Sequence, residues 1–185
     1  FLDKRQVGLM VIDVQEKLLP NVEQYQEVSS SIVLAIRGFQ VFNLSILVTE
    51  QYPKGLGPTV PVIKDCLTDE QRYFSKTSFS SCRDFEIKDA INHLNVKQWV
   101  LVGIEAHVCI LQTAKDLLIM GKEVIVLNDA ISSRSIYDFS TAISEYKDLG
   151  IRVTSVETAL FELLGDSQVP EFKPISSLIK ESSSV

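Results

Sequence analysis

The sequence predicts an α/β domain built on a doubly wound parallel sheet. Three observations carry this. Five short runs are nearly continuous in Val, Ile and Leu: VGLMVID (7–13), LSILVTE (44–50), QWVLVGI (98–104), EVIVLND (123–129) and IRVTSV (151–156). Such runs suit parallel strands covered by helices on both faces. Helical patterns lie between the runs, and strand–helix alternation at this spacing means βαβ units. Finally, 185 residues, 45% of them hydrophobic and 23% charged, suffice for one domain with a single core.

The first strand, 7–13, ends in Asp13, with Gln15, Glu16 and Lys17 just beyond. Residues 24–42 place Val28, Ile32, Ala35, Ile36 and Phe39 at helical spacing. The second strand ends in Thr49, Glu50 and Gln51. It opens onto EQYPKGLGPTVPVIKD, whose three prolines and two glycines make a long irregular loop of the kind that often carries function. QRYFSK (71–76) reads as a short extra strand ending at Lys76. A helix over 84–94 starts behind Ser80 and Ser81 as caps, with Asp84 and Glu86 in its first turn, as the helix dipole prefers.

The stretch WVLVGIEAHVCILQTAKDLLIMG is a hinge. A buried strand ends at Ile104, and Glu105, His107 and Cys109 follow at once. Residues 107–120 then form a helix with Ile110, Leu111, Ala114, Leu117 and Leu118 on one face, stopped by Gly121. Helices over 135–149 and 156–164 end at Gly150 and Gly165. Residues 1–165 are expected to form the domain. Residues 166–185 are expected to be an arm of that domain, with one short helix, draped over another subunit.

The net charge is −6, with acids and bases interspersed and no basic stripe, so nucleic acid is not an expected partner. No apolar run approaches the ~18 residues of a membrane span. Three cysteines, Cys66, Cys82 and Cys109, without CxxC spacing argue against a disulfide framework and for a reducing compartment. Two histidines, His93 and His107, are too few for a His-rich metal site, and no metal or cofactor is expected. The cytoplasm is the expected location. The mitochondrion stays open, because a chain that starts at Phe1 reads as trimmed at its N-terminus.

In open α/β sheets ligands bind beyond the carboxyl ends of the strands. A thiol in the first turn of a helix there meets unpaired N–H groups and the positive end of the dipole. Both favour thiolate, so Cys109 is expected to be a low-pKa nucleophile, with a lysine nearby and a carboxylate placed to take its proton. Cys66 and Cys82 lack that context and read as structural. The bland alternatives are an inert buried cysteine, an Asp13 that caps its own turn, and a solvated Lys76. His107 points away from a thiol two residues on, and reads as structural. Glu105 either lines a pocket or caps the next helix. Arg134 either anchors an acidic substrate or is solvated.

Asp13 in VIDVQEKLLP, Lys76 in FSKTSFS and Cys109 in GIEAHVCILQTAKDLL resemble, in order and rough spacing, the Asp–Lys–Cys triad of the isochorismatase-like cysteine hydrolases. The similarity runs from about Val7 to about Gly165. VTEQYPKGLGPT, DAISSR and LFELLGD look like the subgroup of isochorismatase domain-containing proteins. The resemblance implies a three-layer αβα sandwich around a six-stranded parallel sheet. It implies that Asp13 takes the thiol proton, that Cys109 attacks a carbonyl-like carbon, and that Lys76 holds the triad. It also implies a cis Ile104–Glu105 bond that turns the Glu105 N–H inward beside that of Cys109, as an oxyanion hole. Gln15, Gln51, Tyr52, Phe79, Ile104 and Arg134 become the expected pocket lining.

The sequence departs from some relatives. TEQYPKG lacks the Asp-x-His metal motif of nicotinamidases, which disfavours zinc. True isochorismatases lack the cysteine and act on a vinyl ether. Cys109 points instead to a small amide, ureido or ester-like substrate and a covalent thiol intermediate. The family's habit of assembly, and a tail whose Phe172, Ile175, Leu178 and Ile179 need a surface, imply a homo-oligomer. The competing reading is a catalytically idle binding or scaffold protein that retains the fold. A phosphoacceptor receiver-like domain fits poorly, since no acidic pair follows the first strand.

Overall fold

A computed structural model describes residues 1–183. Its six strands are β1 Val7–Ile12, β2 Ser45–Gln51, β3 Tyr73–Lys76, β4 Gln98–Ile104, β5 Glu123–Ser132 and β6 Arg152–Thr154. All are parallel, in the order β3-β2-β1-β4-β5-β6. The chain winds outward from β1 to one edge, returns to β4 and winds to the other. The switch point therefore lies between β1 and β4, where open sheets of this kind form their binding crevice.

The helices are α1 Tyr25–Val41, α2 Pro53–Leu56, α3 Pro61–Lys64, α4 Phe85–His93, α5 Leu111–Ile119, α6 Ile136–Asp148, α7 Val156–Leu164 and α8 Phe172–Ser183. Alternate residues of each strand feed two cores. Leu9, Val11, Val100 and Val102 pack with α1, α7 and α8, through Ile32, Phe39, Leu160 and Ile175. Met10, Ile12, Trp99 and Leu101 pack with α4, α5 and α6, through Ile87, Ile91, Leu117 and Tyr146. The result is the expected three-layer sandwich. No helix among the described residues is long and apolar enough to cross a membrane.

Three expectations change. β5 continues to Ser132 instead of stopping at Asp129. Its register with β4 shifts between Leu101 and Gly103 and resumes with Gly103 opposite Ile131. Asn128 and Asp129 are exposed there, and Asp129 Oδ1 accepts the Val156 N–H at the start of α7. A bulge of this kind inserts residues without ending the pairing. The helix expected from His107 begins as a π-helical turn, Ala106–Ile110, before α5. The Tyr146 hydroxyl of α6 donates to the Ala106 carbonyl inside that turn.

The third change is the tail. It folds as α8 and lies on α1 of its own chain. Ile175 is fully buried in the α1 core, with Phe172, Leu178 and Ile179 packed against it. The 3-and-4 spacing of those residues makes one apolar face, and α1 supplies its partner. The arm thus covers its own domain, and its apolar face no longer argues for a second subunit. Residues 184 and 185 of the arm lie outside the described residues.

Gly103 fixes how closely the central strands approach. Its φ is +121°, and a Cβ there would sit 2.1 Å from the Ile12 carbonyl oxygen. Only glycine fits.

Candidate active site

Asp13 leaves β1 in the left-handed region, with φ 55°, a conformation that Asp adopts more readily than most residues. The turn aims its carboxylate across the carboxyl ends of β2 and β3. Thr49 Oγ1 donates to Oδ1 at 2.8 Å, and Lys76 Nζ donates to Oδ2 at 2.8 Å. Both members of the Asp13–Lys76 pair have fully buried side chains. Burying two charges costs several kcal/mol per ion unless close pairing and further hydrogen bonds compensate. Here Lys76 also faces Gln51 Oε1 at 2.7 Å, the Phe79 carbonyl at 3.0 Å and the Ser78 carbonyl at 3.2 Å. Its last contact is Cys109 Sγ at 3.6 Å. Asp13, Lys76 and Cys109, distant in sequence, meet at one point.

The thiol itself is not what the sequence led us to expect. Cys109 is buried, and its pKa is pushed up to about 12. Burial is the largest cause, and the Asp13 charge adds to it. Lys76 acts in the opposite sense but is outweighed. Burial thus favours the thiol over the thiolate, and Asp13 is a hydrogen-bonding neighbour of the sulfur. Burial raises Cys66 and Cys82 as well, the latter to about 12. Acidity does not set Cys109 apart. Its neighbours do: Cys66 Sγ reaches the Ile63 carbonyl and Cys82 Sγ the Thr113 carbonyl, whereas Cys109 faces a lysine and a carboxylate.

The expected pocket residues divide. Tyr52 and Phe79 flank Lys76 and are about half exposed. The Tyr52 N–H donates to the Lys76 carbonyl. Gln51 bridges the Lys76 amine and the Thr77 carbonyl. Gln15 and Ile104 have no exposed surface. Gln15 donates to the Gln51 and Gly57 carbonyls and accepts the Gln51 N–H, which ties the long loop to β1. Ile104 points into the α1 core.

Glu105 follows a cis Ile104–Glu105 peptide bond. Its side chain makes no cap hydrogen bond to the following turn. Instead Oε1 accepts from Arg134 Nε at 2.6 Å, while most of the Arg134 side chain is in solvent. His107 stands beside it, with Nε2 3.4 Å from Glu105 Oε2 and Nδ1 2.8 Å from Ser133 Oγ. Among the described residues no group of three or more His, Cys, Asp or Glu side chains is placed to hold a metal ion.

Two supporting residues had no assigned role in the sequence. Thr49 holds Asp13, and the signal for it is register, since Thr49 lies opposite Ile12 in the β1–β2 ladder. Glu50 Oε2 accepts both the N–H and the hydroxyl of Thr59, closing the loop after β2.

Comparison with known proteins agrees with this architecture. Residues 7–158 match the isochorismatase domain. Isochorismatase domain-containing protein 2 of Xenopus laevis is 36% identical over 181 residues, covering 97% of this chain and 86% of that protein. A solved structure described as a MAR1 ribonuclease from Caenorhabditis elegans superposes with a TM-score of 0.91 at 39% identity, covering 96% of this chain and 91% of that one. The YcaC gene product of Escherichia coli, described as an octameric hydrolase of unknown specificity, superposes with a TM-score of 0.90 over 99% of this chain and 93% of its own. At 20% identity that likeness shows the fold alone. With its β-sheet order, its domain match and these relatives in agreement, the chain belongs to the isochorismatase family.

Proposed function

We propose that the protein is a cysteine-dependent hydrolase acting on a small amide, ureido or ester-like substrate. The observation that carries this is the buried cluster in which Lys76 Nζ lies 2.8 Å from Asp13 and 3.6 Å from Cys109. Since the resting sulfur is protonated, attack is coupled to proton transfer. Asp13 takes the proton as Sγ bonds to the carbonyl carbon, and the carbonyl π pair moves to oxygen. The backbone N–H groups of Glu105 and Cys109 are the proposed donors to that oxyanion. Collapse expels the amine or alcohol, which takes the proton from Asp13 and leaves a thioester. Water then attacks, giving its proton to Asp13, and as the acid departs the leaving sulfur takes that proton back, which restores both the thiol and the carboxylate. Lys76 holds the carboxylate and offsets its charge throughout. Gln51, Tyr52, Phe79 and Arg134 form the rim that meets a small molecule.

The second reading is a binding protein that keeps the fold without turnover, and the buried, protonated Cys109 favours it. A panel of small amides, ureides and esters separates the two. The hydrolase reading expects turnover by the wild type and a loss of at least about 10³-fold in Cys109→Ser, with the fold retained. Equal rates in the two proteins would exclude it. Nucleic acid is not the proposed substrate, despite the description of the Caenorhabditis elegans relative, because a chain of net charge −6 gives a polyanion little purchase. Assembly is proposed as well, with exposed Phe85, Ile119 and Tyr137 as surfaces it would cover, and light scattering should then exceed the 20.7 kDa of one chain.

A further inference from the structure

We propose that His107 and Ser133 are positioning residues that hold the Glu105 carboxylate, and through it the end of β4 that presents an oxyanion N–H. This inference rests on the hydrolase reading above. Glu105 is anchored unequally. Oε1 accepts from Arg134, whose side chain is 66% exposed. A pair so open to water holds its partners weakly. Oε2 is buried and has no hydrogen bond. A buried carboxylate oxygen without a donor is costly, and in a native structure it calls for an explanation.

His107 supplies one. Its Nε2 lies 3.4 Å from that oxygen, a distance that a small approach turns into a hydrogen bond. Such contacts are often long before substrate binds and tighten afterwards. The other face of the ring is fixed, because Nδ1 is 2.8 Å from Ser133 Oγ and Ser133 has no exposed surface. Ser133 is itself held from a third element, since its carbonyl accepts the Glu23 N–H. With the Ser133 hydroxyl donating to Nδ1, Nε2 carries the N–H aimed at Glu105. Asp138 Oδ2 of α6 also faces Nε2, at 3.7 Å, and competes for that proton. The chain Ser133–His107–Glu105 thus spans the ends of β5 and β4. It braces the residue whose backbone N–H the proposed reaction needs, and it touches neither the thiol nor its base.

Two reagents test this. Acylation of Cys109 by p-nitrophenyl acetate passes through an oxyanion, whereas alkylation by iodoacetamide does not. Both rates are read at Cys109 by mass spectrometry. His107→Ala and Ser133→Ala should slow acylation roughly 10- to 100-fold, the cost of a misplaced group, and leave alkylation within about twofold. His107→Gln, whose amide can still donate to Glu105, should recover much of the loss. Equal acylation in wild type and variants overturns the proposal, as does a parallel fall in both reactions. A wild type that alkylates but never acylates overturns the hydrolase reading, and this inference with it.

Discussion

Two carboxylates stand on neighbouring strand ends, and the fold treats them differently. Asp13 is fully buried, and both its oxygens are bonded, one to Thr49 and one to Lys76. Glu105 is buried as well, but one of its oxygens is on a solvent-exposed arginine and the other has no hydrogen bond. The first is a cage with no freedom left, which suits a group that must meet a sulfur at one fixed place. The second keeps one oxygen unanswered, with the His107 ring 3.4 Å away, and so depends on its neighbours to stay in place. Two buried carboxylates on adjacent strands are thus satisfied to different degrees, since every oxygen of Asp13 is answered and one of Glu105 is not.

The sharpest way to break the comparison is to remove the cation from each pair. Lys76→Met leaves a buried carboxylate without its partner and should cost about 3–5 kcal/mol, read by urea unfolding of the single tryptophan, the fully buried Trp99. Arg134→Met should cost less in the same assay, because its guanidinium is largely in solvent and water can take its place on Glu105. Similar losses in the two variants would mean that the two sites are anchored alike.

A smaller effect separates the charges by their reach to sulfur. Asp13 raises the Cys109 pKa, and Glu105 is not among its causes. Asp13→Asn should therefore speed iodoacetamide labelling of Cys109 at pH 8, by about tenfold for each pKa unit released, while turnover falls. Glu105→Gln should leave labelling unchanged. A slower reaction in Asp13→Asn would show that the carboxylate assists ionisation in the resting state.

A further effect, confined to the alkaline side, is on stability against pH. The folded thiol ionises near 12 and an unfolded one near ~8.5. Its folded pKa is raised, so its contribution is complete below about 8.5 and is lost as pH climbs toward 12. Cys109→Ala should flatten the alkaline limb of the urea midpoint, and an unchanged limb would mean that the thiol is not the group responsible.

Much of this was legible in the sequence. The apolar runs located five strands to within a residue or two at most ends, because parallel strands covered on both faces leave little else to fit. Asp13, Lys76 and Cys109 were legible as strand-end residues. What the sequence hid was depth. The position of Cys109 at a helix start argues for an acidic thiol, but desolvation is set by α4, α5 and α6 closing over it, and that is a property of packing. Gln15 was hidden for a related reason, since its amide turned to the loop backbone once the loop was in place. The extent of β5 depended on a register shift beside Gly103, and α8 found its surface on α1, a helix more than a hundred residues earlier.

Gly103 has a consequence for anyone altering this protein. It faces the Ile12 backbone, one residue before Asp13 and one before Ile104. A saturation scan should nevertheless mark position 103 as intolerant of every other amino acid, since any side chain would wedge the two central strands apart. Libraries meant to change substrate preference can vary the rim at Tyr52, Phe79 and Arg134 freely. The spacing between Asp13 and Cys109 is then inherited unchanged, as a fixed gauge set by the absence of one methyl group.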